Sequence, residues 1–325
     1  MIMTKSSSIF TSIILYVSGL LVVSVLGLGW WLYDSLVSPL EPQFLGQTLS
    51  ETYIDIEKRM SSKLEEGKAI ATAIASYHGV IKGLEQSDPD QVFDDIQPIQ
   101  QHFADTSKYQ NILTKVLDSN NEVIATSWDK HLIGESVHNS LLSTMKDTQR
   151  VTGSYGVQEK GFGVVAYAPV NVNGHYLGTV QSFSGVSAIA RELQDLGIEW
   201  VFLLDKNYLQ KQYHKIPDSV KNNLSVGDHY LLAHPKWFNQ NTVDFVVNNQ
   251  YQYEVKDGYD ARIIGDKVLI NVPLYDDRYQ VIGRHIILKS ANMIKKRIED
   301  TEMRILNILS IVILVFVVVI ALVMC

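Results

Sequence analysis

Two stretches without a single charged residue, one near each end, constrain this chain more than anything between them. Residues 9–33 read IFTSIILYVSGLLVVSVLGLGWWLY and residues 305–325 read ILNILSIVILVFVVVIALVMC. About 20 predominantly apolar residues are enough for a helix to cross the hydrocarbon layer, so both suffice. The first is longer than the apolar region of about 7 to 15 residues in a secretory signal, and no small-x-small cleavage site comes before Trp30-Trp31. It is expected to be an uncleaved anchor behind a cytoplasmic stub, residues 1–8. Residues 305–325 are expected to be a second transmembrane helix, and residues 34–304 then lie together on one side.

Lys295, Lys296, Arg297 and Arg304 crowd the loop side of the second span, while the N-terminal stub holds only Lys5 and the free amine. A local count of positive charge therefore opposes an outward loop, but that rule applies to short loops, and large domains translocate largely regardless of charge. Residues 34–304 are thus expected to be extracytoplasmic, in a bacterial inner membrane. The single cysteine, Cys325, lies outside that region, which has no disulfide and tolerates an oxidising compartment. A net charge of −7 argues against a nucleic-acid surface.

After Pro39 and Pro42, residues 44–86 place apolar side chains three or four apart: Leu45, Leu49, Tyr53, Ile56, Met60 and Leu64, then Ile70, Ile74, Tyr77, Ile81 and Leu84. This spacing predicts one long amphipathic helix, a spine, with a soft point at Gly67. With its linker it occupies 34–90. SDPDQVFDDIQPIQQHF predicts a capped short helix and a linker. NILTKVLDSNNEVIATSW predicts a hairpin, because Asp-Ser-Asn-Asn accepts turn geometry. DKHLIGESVHNSLLSTMKDTQ reads as a loop bending at Gly134 and a short helix; GSYGVQEKGFGVVAYAPV and NGHYLGTVQSFSG supply three more strands.

Much of this plan recurs. VVAYAPVNVNGHYLGTV at 164–180 and VLINVPLYDDRYQVIGRHI at 268–286 each carry a proline after an apolar strand, Pro169 and Pro273, and then a glycine, Gly178 and Gly283. IEWVFLLDKNYLQKQY, after the helix SAIARELQDLG, is read as a second strand, turn and strand, with Asp205-Lys206-Asn207 standing where Asp118-Ser119-Asn120 stood. The expected class is α+β: a long N-terminal helix with two tandem PAS-like antiparallel-sheet modules, flanked by two transmembrane helices. The membrane-distal module spans 91–190, the membrane-proximal module 191–294, and a juxtamembrane helix 295–304.

The anchor, the spine, LTKVLDSNNEVIATSWDKHLIGESV, GSYGVQEKGFGVVAYAPVNVNGHYLGTVQ and GIEWVFLLDK together resemble the double Cache sensor regions of bacterial chemoreceptors, histidine kinases and diguanylate cyclases, closest to the third class. The resemblance implies a binding module that passes a ligand signal through the spans to an output domain or a partner protein, as a homodimer joined through spine and transmembrane helices. In that class a strand after the first turn often carries an Arg; VIATSW has Thr126 and Ser127 there, so kinship names no ligand.

No Gly-x-Ser-x-Gly elbow, Walker loop, His-Glu-x-x-His or Cys-x-x-Cys occurs, and no cofactor is implied. His229 and His234 are spaced one residue too far apart for a helical metal-binding pair. No convergent acid, base or nucleophile points to an enzyme. A PAS-like module holds its ligand between the sheet and the helical loop crossing it. That places Trp128 and Tyr155 as walls, Lys130 and Arg150 as partners for a small polar or anionic ligand, His131 in the same loop, and Tyr167 on the strand before Pro169. Arg150 suits a carboxylate because its guanidinium is a planar fork. Tyr251, Tyr253, Tyr259 and Arg262 form a weaker cluster in the second module. The competing reading is a membrane-anchored interaction or assembly module.

Overall fold

The computed structural model describes residues 3–106, 112–234, 239–249, 258–276 and 278–324, and these divide into two units. The smaller comprises Met1–Ser50, Ala261–Lys267 and Ser290–Cys325. It holds α1 (Met3–Val37), the start of α2 (Leu40–Ala75), and α9 (Asn292–Met324). Pro39, which has no N–H to continue a helix, sits between α1 and α2. α1 and α9 run antiparallel: the Tyr33 hydroxyl donates to Glu302, and a Cβ built on Gly29 would lie 3.0 Å from Ile313 Cδ1. By length and composition both apolar stretches can cross a membrane, with windows of mean hydropathy 1.7 and 2.4.

The larger unit, Glu51–Asp260 with Val268–Lys289, contains the sheets. α2 is continuous through Gly67, which is not a soft point. There the missing side chain admits the sheet: a Cβ would stand 3.1 Å from Val164 Cγ1, and Ser182 Oγ donates to the Gly67 carbonyl at 2.8 Å. The break falls instead at Ser76-Tyr77, where Tyr77 turns extended and α3 (His78–Gln86) begins. α4 (Pro89–Thr106) is a full helix of 18 residues rather than a short helix and linker. Asp88 Oδ1 accepts from Gln91 N at 3.1 Å, and Pro89 opens the first turn, where a missing N–H costs nothing.

The first sheet comprises β1 (Ile112–Asp118), β2 (Val123–Thr126), β3 (Thr152–Gln158), β4 (Gly161–Val172) and β5 (His175–Gly185), antiparallel in the order β2-β1-β5-β4-β3. Asp118 Oδ1 closes the β1–β2 turn by accepting from Asn120 N and Glu122 N, both at 2.8 Å, with Asn121 at φ 69°. α5 (Ser140–Thr148) follows the loop that bends at Gly134, whose φ is +78°. One face of this sheet packs Val116, Ala125, Ala166 and Val180 against Ile70, Ile74, Val92 and Ile96 of the spine and α4. The opposite face sets Leu117, Val165 and Tyr167 against Leu141, Leu142 and Met145 of α5.

After α6 (Ser187–Asp195) come β6 (Glu199–Asp205), α7 (Lys206–Tyr213), β7 (Ser225–Val226), β8 (Tyr230–Leu232), α8 (Gln240–Asn248), β9 (Asp260–Ile264), β10 (Lys267–Tyr275) and β11 (Val281–Ser290). β9 belongs, past its first residue, to the smaller unit. The expected second hairpin is absent. Asp205 Oδ1 accepts from Tyr208 N at 2.8 Å, so the residues that were to turn cap a helix instead, and β6 takes β8 as its partner.

The duplication is nevertheless visible in the larger unit, where β8-β6-β11-β10 repeats the order β2-β1-β5-β4. Gly178 and Gly283 both lie near the start of the last strand. A Cβ at Gly178 would stand 2.2 Å from the Leu117 carbonyl oxygen and one at Gly283 1.9 Å from that of Leu203, so only glycine fits either place. Pro169 and Pro273 both lie in the penultimate strand. Phe162 stacks on Phe202 at 4.4 Å between the two sheets.

Candidate functional site

A cleft of about 710 Å³ opens on the α5 face of the first sheet. Its floor is Lys115 of β1, Ser154 and Gly156 of β3, and Val165 and Tyr167 of β4. The loop 135–139 and the start of α5 form one wall. Tyr208, Gln212 and Tyr213 of α7, the segment 215–219 without Ile216, and Asp276 and Arg278 from the turn before β11 form the other.

Tyr167 is 1% exposed, and its hydroxyl accepts from Asn139 Nδ2 at 2.8 Å. Asn139 Oδ1 in turn caps α5 by accepting from Leu142 N at 2.8 Å, so one residue fixes both the helix start and the tyrosine. Burial pushes the Tyr167 phenol well above its ordinary range; the Asn139 bond opposes this, while Glu159 and Tyr213 add to it. The Tyr213 hydroxyl accepts from Val157 N at 3.0 Å, and burial raises its pKa as well. Both phenols stay protonated at neutral pH and act as neutral hydrogen-bonding groups.

Lys115 is the buried charge of the site, its side chain 3% exposed. It donates to Glu159 Oε1 at 2.5 Å, from a glutamate on the β3–β4 turn whose side chain is 43% exposed. The Lys115 ammonium also lies 5.9 Å from the centre of the Trp128 ring, within reach of a cation–π attraction.

Of the residues singled out from sequence, Tyr155 and Tyr167 line the cleft; Trp128, Lys130, His131 and Arg150 are not among its lining residues. Tyr155 pairs in register with Val164, whose side chain meets the spine at Gly67. Cross-strand partners share a face, so the Tyr155 ring is on the spine side, where burial first and then Glu57 and Glu65 push its pKa upward. Trp128 meets the cleft through Lys115, whose ammonium lies 5.9 Å from its ring centre. Lys130 pairs at 2.9 Å with Asp90 on the surface, with its ammonium 5.5 Å from the Phe93 ring centre, and the Asp90 hydrogen bond raises its pKa. His131 is exposed, its backbone N–H bonded to Asp129 Oδ1 at 2.9 Å. Arg150 is exposed between α5 and β3. In the second module Tyr251 and Tyr253 lie outside the described residues; Tyr259 meets Tyr53 edge-on at 4.9 Å, and Arg262 belongs to the smaller unit.

Lys115, Asn139, Tyr208 and Tyr213 went unnoticed in the sequence. Lys115 carries a signal, as a charge in the middle of the strand ILTKVLD, between apolar residues and ahead of the turn residue Asp118. Tyr208 and Tyr213 were hidden by the mistaken hairpin.

No protein-family model matches the chain, and no curated protein sequence does. Solved structures similar to it include the sensor domain of the Vibrio cholerae histidine kinase DctB, at 13% identity and TM-score 0.42, covering 75% of this chain and 98% of that one. The periplasmic domain of Vibrio cholerae LuxQ matches at 11% identity and TM-score 0.45, covering 76% and 99%. The ligand-binding domain of the Campylobacter jejuni chemoreceptor Tlp3, in complex with L-valine, matches at 14% identity and TM-score 0.37, covering 82% and 97%.

Proposed function

We propose that the chain is a membrane-anchored sensor whose outer region binds a small polar ligand and passes the event to the two apolar helices. The observation that carries this reading is the cleft of about 710 Å³, which lies against a sheet face, beneath a helical loop, and is lined by the buried Lys115 ammonium, the buried Tyr167 phenol and the half-buried Tyr213 phenol. A concave site with a few polar groups among apolar walls is the usual form of a small-molecule site. Both modules contribute lining residues, so a ligand there contacts both. Connectivity supplies the rest: β11 ends at Ser290 and α9 begins at Asn292, while α2 follows α1 after Ser38-Pro39. A ligand that prefers one arrangement of the modules shifts their equilibrium by no more than its differential affinity.

The test is thermal unfolding of the whole chain in detergent against a panel of organic acids and amino acids. At a hundredfold excess over its dissociation constant, a ligand contributes about 2.7 kcal/mol of stability. Tyr167→Phe and Arg278→Ala should each weaken that stabilisation, and Arg150→Ala tests the exposed cation named from sequence. If no compound in a broad panel stabilises the chain, the sensor reading fails and an assembly role takes its place.

A further inference from the structure

We infer that Glu159 is an internal competitor for the ligand: its carboxylate holds, on the Lys115 ammonium, the place that a ligand carboxylate takes. This rests on the cleft being the ligand site, and it names the chemical class that the site accepts.

Lys115 stands in the middle of β1 with its side chain 3% exposed. An ammonium so far out of water costs several kcal/mol unless an anion accompanies it. The anion here does not come from the packed core. It comes from a surface turn, on a side chain 43% exposed, and a carboxylate in that position gives up little when it rotates into solvent. Lys115 therefore requires an anion but is not committed to this one.

The surroundings of Lys115 favour a carboxylate in particular. A tyrosine hydroxyl has one proton to donate besides its capacity to accept. The Tyr167 hydroxyl accepts from Asn139 and the Tyr213 hydroxyl from Val157 N, so each keeps its proton for an acceptor in the cleft. Glu159, Tyr167 and Tyr213 all line the same cleft, which puts these groups in one neighbourhood. Lys115, Tyr167 and Tyr213 are thus three donors lining one cleft. On the same sheet face Gln181 stands opposite Lys115 in register, 2% exposed, with its Oε1 buried and lacking a hydrogen-bond partner.

Exchange needs no backbone movement. The preceding residue, Gln158, is held independently: Ser219 Oγ donates to its carbonyl at 2.7 Å and Gln181 Nε2 to its Oε1 at 3.2 Å. Rotation of the Glu159 side chain alone clears Lys115.

The experiment compares the full-length wild type and Glu159→Gln in detergent, titrated with acetate, lactate and succinate, with succinamide as a neutral isostere of succinate. At least one of the acids should raise the unfolding temperature of Glu159→Gln at concentrations about tenfold lower than wild type requires, because no internal ion pair has to be broken first. Succinamide should act on neither, and Lys115→Met should lose the response. Glu159→Gln leaves Lys115 without its counter-charge and should unfold at a lower temperature than wild type, so each chain is titrated against its own ligand-free value, and Glu159→Asp, which keeps the charge on a shorter side chain, should respond between the two. Equal concentration dependence in wild type and Glu159→Gln, or no response of Glu159→Gln to any of the three acids, overturns the inference. A wild type stabilised by a ligand without a carboxylate, alongside an unresponsive Glu159→Gln, overturns this inference and leaves the sensor reading standing. A wild type silent to the whole panel counts against the sensor reading, while the Glu159→Gln titration still decides this one.

Discussion

Single residues in this protein show how burial changes what a side chain does. His285 is fully buried, receives a hydrogen bond at its Nδ1 from Trp200 Nε1 at 2.9 Å, and stacks against the Trp200 ring at 5.5 Å. Burial pushes its pKa down from 6.5 to about 3, so the folded protein keeps it neutral. The unfolded chain takes up a proton as pH falls through 6.5, whereas the folded chain does so only near pH 3. Stability from a neutral His285 is therefore full above the upper value and is lost progressively across that window as pH falls. His234 is shifted the same way by burial, to about 4. Replacing His285→Gln, which can still accept from Trp200, should flatten the loss of stability between neutral and acid pH by on the order of a few kcal/mol. Denaturant unfolding of both chains over that range measures it; parallel profiles would refute the assignment. Lys115 is the converse case, a charge that stays buried because a counter-charge comes with it.

At the level of elements, local chemistry admitted two outcomes and packing chose between them. Asp-Lys-Asn after an apolar strand suits a turn as well as a helix cap, and the same side-chain oxygen serves both: Asp118 closes a hairpin, Asp205 starts α7. The consequence reaches the cleft, since α7 carries Tyr208, Gln212 and Tyr213 into its lining. Asp205→Ala should cost about 1 kcal/mol through the lost cap. Amide hydrogen exchange should then rise across 206–213 while the first sheet stays protected; an unchanged α7 would show that packing alone holds it. Gly67 teaches a similar lesson. Within a helical pattern a glycine reads as a weak point, yet here it is the place where β4 and β5 come close enough for Ser182 to bond the helix backbone.

For the whole molecule, the two apolar helices imply a topology that reporter fusions can check. A fusion at residue 150 should report an extracytoplasmic position and one at the N-terminus a cytoplasmic one; a cytoplasmic signal from residue 150 would remove the sensor reading. The sequence by itself determined the apolar ends, the spine, the first sheet and the existence of a repeat, because each is written in periodicity, turn chemistry or forced glycine positions along neighbouring residues. Gly178 and Gly283 were legible for that reason: each must pass close to a carbonyl of an adjacent strand, and no other residue can. The sequence also named Tyr167 and Tyr155, but only the tertiary structure decided that the first faces the cleft and the second the spine, since strand register sets the face. It decided as well that Lys130 pairs with Asp90, that Lys115 is buried in the lining of the cleft, and that Tyr213 and Arg278 line that same cleft. Those facts join residues far apart in the chain, and no local pattern encodes which distant charge a lysine meets or which helix roofs a sheet.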